Sequence, residues 1–108
     1  MAYDHDLADR IREHVAQEKG LTEKAMFGGL AFLIDGHMAV AASSKGGVML
    51  RVDPTQTEIL LQQPKTTPFV MRGREMNGWL YVDSDVSDDE LAQWISRGVS
   101  YAKSLPPK

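Results

Sequence analysis

No cysteine occurs in the 108 residues, which excludes disulfide staples, thiolate nucleophiles and every cysteine-ligated zinc site. A reducing cytoplasm is the compartment this usage fits. No apolar run approaches the ~20 residues that a membrane helix needs. The opening Met1-Ala-Tyr-Asp-His-Asp is polar and acidic, so it does not read as a secretory leader. Basic excess is missing too: the formal charge is −3, which argues against non-specific nucleic-acid binding. No glycine-rich cofactor loop follows a first parallel strand, as a dinucleotide or methyl-donor site would require. No cofactor is expected.

What remains is an ordinary globular composition, 43% apolar and 25% charged, and one domain spanning residues 1–108. Tyr3, Leu7, Ile11 and Val15 recur every four residues and predict an amphipathic helix from Tyr3 to about Glu18, stopped at Gly20. A long apolar strand from Lys24 to Ile34 then contains Met26-Phe27-Gly28-Gly29. Paired glycines inside a strand suggest a bulge or a close backbone approach.

Asp35-Gly36 is a hairpin turn into His37–Ala42, and residues 43–47 turn again into Val48–Val52. Asp53-Pro54-Thr55-Gln56 reads as a helix start with Asp53 as cap, and Pro64 ends that helix. Pro68–Arg72 and Trp79–Val82 form a second hairpin through Gly73 and Asn77-Gly78, with Pro68 opening its strand or lying on an edge. Ser87-Asp88-Asp89-Glu90 is a capping box for a last helix with Leu91, Trp94, Ile95, Val99 and Ala102 on one face.

The order α-β-β-β-α-β-β-α predicts a two-layer α+β fold, a five-stranded antiparallel sheet with helices covering one face. Strand alternation separates Val48, Leu50 and Val52 from Met49 and Arg51, and Leu80 and Val82 from Trp79 and Tyr81. One of these sets belongs to the uncovered face, where a partner surface is expected.

Thr22-Glu-Lys24, Met26-Phe-Gly-Gly29, Leu30-Ala-Phe32, Asp35-Gly36 and Leu50-Arg-Val-Asp53 stand in order along the first half. Pro68-Phe69, Met76-x-Gly78-Trp79 and the run from Leu91 through Trp94 to Ala102 follow. In this combination the chain resembles the N-terminal domain of TfoX/Sxy, the bacterial competence regulators, over nearly its whole length. The resemblance implies a two-layer fold similar to type III secretion chaperones and no established enzyme activity. Full regulators of this kind continue into a helical C-terminal domain, whereas this sequence ends at Lys108. The expectation is that domain identity transfers and the competence-gene role does not.

The chemistry-bearing residues make no catalytic constellation. His5 and His14 lie nine apart on one helix, about two and a half turns, so they point to opposite sides. His37 lacks a nucleophile elbow or a second carboxylate and reads as an exposed turn histidine. Ser44-Lys45-Gly46-Gly47 lacks the spacing and the following helix of a phosphate loop.

Met26, Met38, Met49, Met71 and Met76 fall in the strand region. Most are expected in the core, with one or two on the open face. Lys24, Arg51, Arg72 and Arg74 come from separate strands or their ends. With Met49 and Trp79 they make the candidate interaction surface, and Met26, Phe27, Gly28 and Gly29 the structural motif. The favoured function is a non-catalytic regulatory or protein-interaction module that self-associates through its open face or an edge strand. The alternative is a weak binder of nucleic acid or anionic ligands through the basic and aromatic surface. Paired surface charge, with Glu23, Glu58 or Glu75 as partners, is the bland reading of the same residues.

Overall fold

Asp4 caps the first helix, its Oδ1 accepting from the N–H of Asp6 at 2.9 Å and of Leu7 at 3.3 Å. The computed structural model describes residues 4–26, 28–43 and 47–106, with only the backbone of Met71. Helix α1 runs His5–Val15 and buries Leu7, Ala8, Ile11 and Val15. It ends sooner than Glu18, and Tyr3 lies outside the described residues.

The expected long strand is two strands, β1 (Leu21–Met26) and β2 (Gly29–Ile34). Met26 pairs directly with Gly29, so the chain reverses between them. Gly28 has φ +77°, a left-handed conformation that costs glycine nothing sterically. The motif is therefore a hairpin turn and not a bulge, and the sheet has six strands where the sequence suggested five. Phe27 of that motif is outside the described residues.

Asp35 and Gly36, at φ +50° and +86°, then make the tight turn their dipeptide signals. Strands β3 (His37–Ala42) and β4 (Gly47–Arg51) follow. The phosphate-loop-like residues 44–46 between them are outside the described residues.

Helix α2 is the single turn Thr57–Leu60. Asp53 does not cap it. Its carboxylate instead accepts from the N–H and hydroxyl of Thr55, at 2.9 and 2.8 Å, closing a turn ahead of the helix. Those two hydrogen bonds hold the Asp53 carboxyl below its usual range. Strands β5 (Thr66–Met71) and β6 (Arg74–Asp83) are joined through Arg72-Gly73, with Met71 opposite Arg74. Asn77-Gly78 lies within β6, where the register breaks, and is not the turn.

The sheet is antiparallel throughout, in the order β1-β2-β3-β4-β6-β5. Pro68 sits on the edge strand β5, where its missing N–H is tolerated.

Helix α3 (Asp88–Ser104) starts at the expected capping box: Ser87 Oγ accepts from the Glu90 N–H at 3.2 Å. Leu91, Trp94, Ile95, Val99 and Ala102 are all buried as their spacing requires. They meet α1 and the inward face of the sheet, including Phe32, Val40, Val48, Leu50, Leu80 and Val82. Arg10 ties the layers at one end, donating to the carbonyls of Ser84 and Val86 and to Asp88.

Candidate functional site

The face of the sheet away from α1 and α3 carries its own apolar cluster. Ala31, Met38, Ala41 and Met49 are buried there, covered by Met26, Leu33, Phe69, Trp79 and Tyr81. Met38 and Met49 are only 8% and 9% exposed. Met38 and Met49 are thus buried, as expected of core methionines, but in this outer cluster and not against the helices. Met26, Met38 and Met49 belong to the second cluster, and Met76 is exposed beside it.

Curvature makes this possible. Met26 on β1 and Phe69 on β5 line one cavity of about 440 Å³, although their strands are the two edges of the sheet. In a flat sheet those edges would lie roughly 24 Å apart, at ~4.8 Å per strand. The register breaks at Phe32/Leu33 and Pro68/Val70 are the kind that sharpen twist. The outer face is a groove.

Four of the six candidate surface residues, Lys24, Met49, Arg51 and Trp79, line that groove. Arg72 and Arg74, at the β5–β6 turn, do not. Arg51 is directly opposite Trp79 across the β4–β6 ladder. Its guanidinium carbon lies 5.4 Å from the Trp79 ring centre and 5.6 Å from that of Tyr101 on α3. Two such contacts orient the side chain by cation–π attraction, each worth about 0.5–1 kcal/mol at partly exposed sites.

Neither Lys24 nor Arg51 has a carboxylate partner among the described residues. Glu23, the acid nearest Lys24 in sequence, is taken by Arg12, whose Nε and Nη2 reach its two oxygens at 2.7 and 2.9 Å. That fork holds the Glu23 carboxyl below its usual range.

Trp79 is placed from behind. Buried Thr57 accepts the Gly78 N–H at 2.8 Å and donates to the Asp53 carbonyl at 3.2 Å. The Gly78 carbonyl in turn accepts the Val52 N–H at 2.8 Å. The β6 irregularity beside Trp79 is thus clamped from α2 and from Val52, just past β4. Phe69 completes the aromatic wall, 6.3 Å from Trp79 and 5.6 Å from Tyr81 between ring centres. Sequence reasoning missed Phe69 and Thr57. Phe69 becomes visible once β5 is paired with β6, whereas no local pattern marks Thr57.

The remaining candidates do not join this site. His37 is half-buried, not exposed, and its Nε2–H donates to the Pro106 carbonyl at 2.6 Å. Among the described residues no group of three or more His, Asp or Glu is placed to hold a metal ion. No helix among them is long and apolar enough to cross a membrane.

The class so defined is a two-layer α+β domain with a methionine- and aromatic-lined groove on its uncovered face. The chain belongs to the TfoX N-terminal domain family, whose model matches residues 13–102. Membership points to a regulatory, competence-related module, and the family is not known as catalytic. The chain has no match among curated proteins or among solved structures.

Proposed function

We propose that the protein is a non-catalytic regulatory module that docks a protein partner in the groove on the outer face of its sheet. The observation that carries this is an adaptable apolar floor bordered by two cations without partner carboxylates among the described residues. Methionine and aromatic side chains reshape to fit a partner at small cost. Lys24 and Arg51 favour a partner whose apolar residues are flanked by carboxylates, and disfavour a basic one. Family membership supports a regulatory role of this kind.

The test is quantitative affinity capture from native lysate, comparing wild type with Met49→Asp and Arg51→Glu, each verified as folded by circular dichroism. The expected result is a protein retained by wild type and lost from both variants. Identical retained sets from all three would contradict the proposal.

A further inference from the structure

Resting on the protein-partner reading, we infer that the outer edge of β1 is the site where the partner adds a strand, an extended segment with a carboxylate opposite Lys24. The two edges of the sheet differ. On β5, Pro68 supplies no N–H and the register breaks after it, two devices that discourage pairing. On β1, six consecutive residues pair with β2 without a break, and Thr22, Glu23, Lys24 and Ala25 are exposed.

The unused hydrogen-bonding groups of β1 can be named. The Gly20 carbonyl accepts the Asp35 N–H at 3.1 Å, and antiparallel bonding alternates along a strand. Thr22, Lys24 and Met26 therefore bond to β2, while Leu21, Glu23 and Ala25 turn N–H and C=O outward. Side chains alternate as well: Lys24 and Met26 line the groove, and Glu23 faces α1, bonded to Arg12. Glu23 is thus held toward α1 by Arg12, on the face away from the groove, while Lys24 stays available. An added strand would continue the groove wall. It would set one side chain against Lys24 and another, two residues along, against Met26.

A second copy of this chain is a poor occupant. Outward-facing residues must pair with each other, so an antiparallel match of β1 with itself centres on a residue. Centring on Glu23 opposes Glu23 to Glu23, and centring on Lys24 opposes Lys24 to Lys24. Like charges directly opposite destabilise a pair. Centring on Thr22 leaves Lys24, Ala25 and Met26 of each strand beyond the other, centring on Ala25 leaves Leu21, Thr22 and Glu23 beyond it, and centring on Leu21 overlaps at that residue alone. The fitting occupant is a segment of a different protein, acidic opposite Lys24 and apolar opposite Met26.

The probe is a random linear peptide library displayed on phage and selected against the full chain. The expected peptides carry an acidic residue two positions from an apolar one. Ala25→Pro deletes an outward N–H and leaves the bonds to β2 intact. It should weaken selected peptides about tenfold, the scale of a lost hydrogen bond with its strained neighbours. Lys24→Glu should remove the acidic preference. Methylating the amides of a selected peptide one at a time should abolish binding at alternate positions only, a readout that does not depend on how Ala25→Pro folds. Peptides lost with Met49→Asp but indifferent to Ala25→Pro and to alternate methylation would overturn strand addition and leave groove docking standing. A selection that enriches nothing would overturn both.

Discussion

Thr57 shows how a single hydroxyl positions a surface it does not touch. It is 3% exposed and holds the Gly78 N–H, next to the tryptophan of the groove. Thr57→Val keeps the shape but strands that N–H inside the protein, a loss of about 1–3 kcal/mol, while Thr57→Ser should cost far less. Urea unfolding of both variants measures this, and equal stabilities would remove the hydroxyl from the account. Gly98 is the second such residue, in the middle of α3. A Cβ there would lie 2.6 Å from the Ala39 carbonyl oxygen and 3.0 Å from Leu50 Cδ2. Alanine gains about 1 kcal/mol in helix propensity, but lifting α3 off the sheet costs about 1–3 kcal/mol. Gly98→Ala should therefore be destabilising, and an unchanged or raised urea midpoint would contradict the close packing. Neither residue was legible in the sequence, because each acts on a neighbour from a distant element. Trp94 and Ile95 were legible because helical periodicity alone decides which face they take.

At the scale of elements, legibility followed how far a signal reached. Capping at Ser87 and the turn at Asp35-Gly36 are encoded within a few residues, and both form as read. The second hairpin was harder, because Gly73 and Asn77-Gly78 carry competing turn signals. Pairing of Met71 with Arg74 selects Arg72-Gly73, at φ +54° and +79°, and leaves Gly78 within the strand. Met26-Phe27-Gly28-Gly29 misled for the opposite reason. Continuous hydrophobicity on both sides resembled one long strand, and only the pairing of Leu21–Met26 with Gly29–Ile34 exposes the reversal.

The latch between α1 and β1 gives an element-scale prediction. Hydrogen bonds from Arg12, opposed by desolvation and aided by the Arg12 charge, lower the Glu23 pKa. A lowered carboxyl pKa stabilises the fold above the ordinary glutamate value of about 4.3, and that contribution disappears as pH falls through the folded value. The pair is partly solvated, with side chains 44% and 34% exposed, so its worth is about 0.2–1 kcal/mol. Glu23→Gln should lower the urea midpoint at neutral pH, and the difference from wild type should shrink as the pH falls below the ordinary glutamate value of about 4.3. A difference that persists unchanged into acid would contradict the ion-pair account.

For the whole molecule, the sequence announced a sheet with one covered face but not the curl that turns the other face into a groove. Curvature accompanies the register breaks and brings residues of both edge strands to line one cavity, and no single segment records it. That is why Lys24, Met49, Arg51 and Trp79 could be named as surface candidates while their convergence could not. It is also why Arg72 and Arg74 seemed part of the same patch. The central claim is that this groove, with its β1 edge, is the working surface and the helical layer is support. Hydrogen–deuterium exchange of the full chain, with and without a captured partner or a selected peptide, tests it most directly. The account predicts added protection at Leu21, Glu23 and Ala25 and along β4 and β6 beside Met49 and Trp79, with α1 and α3 unchanged. Protection confined to the outer faces of α1 and α3 would contradict it.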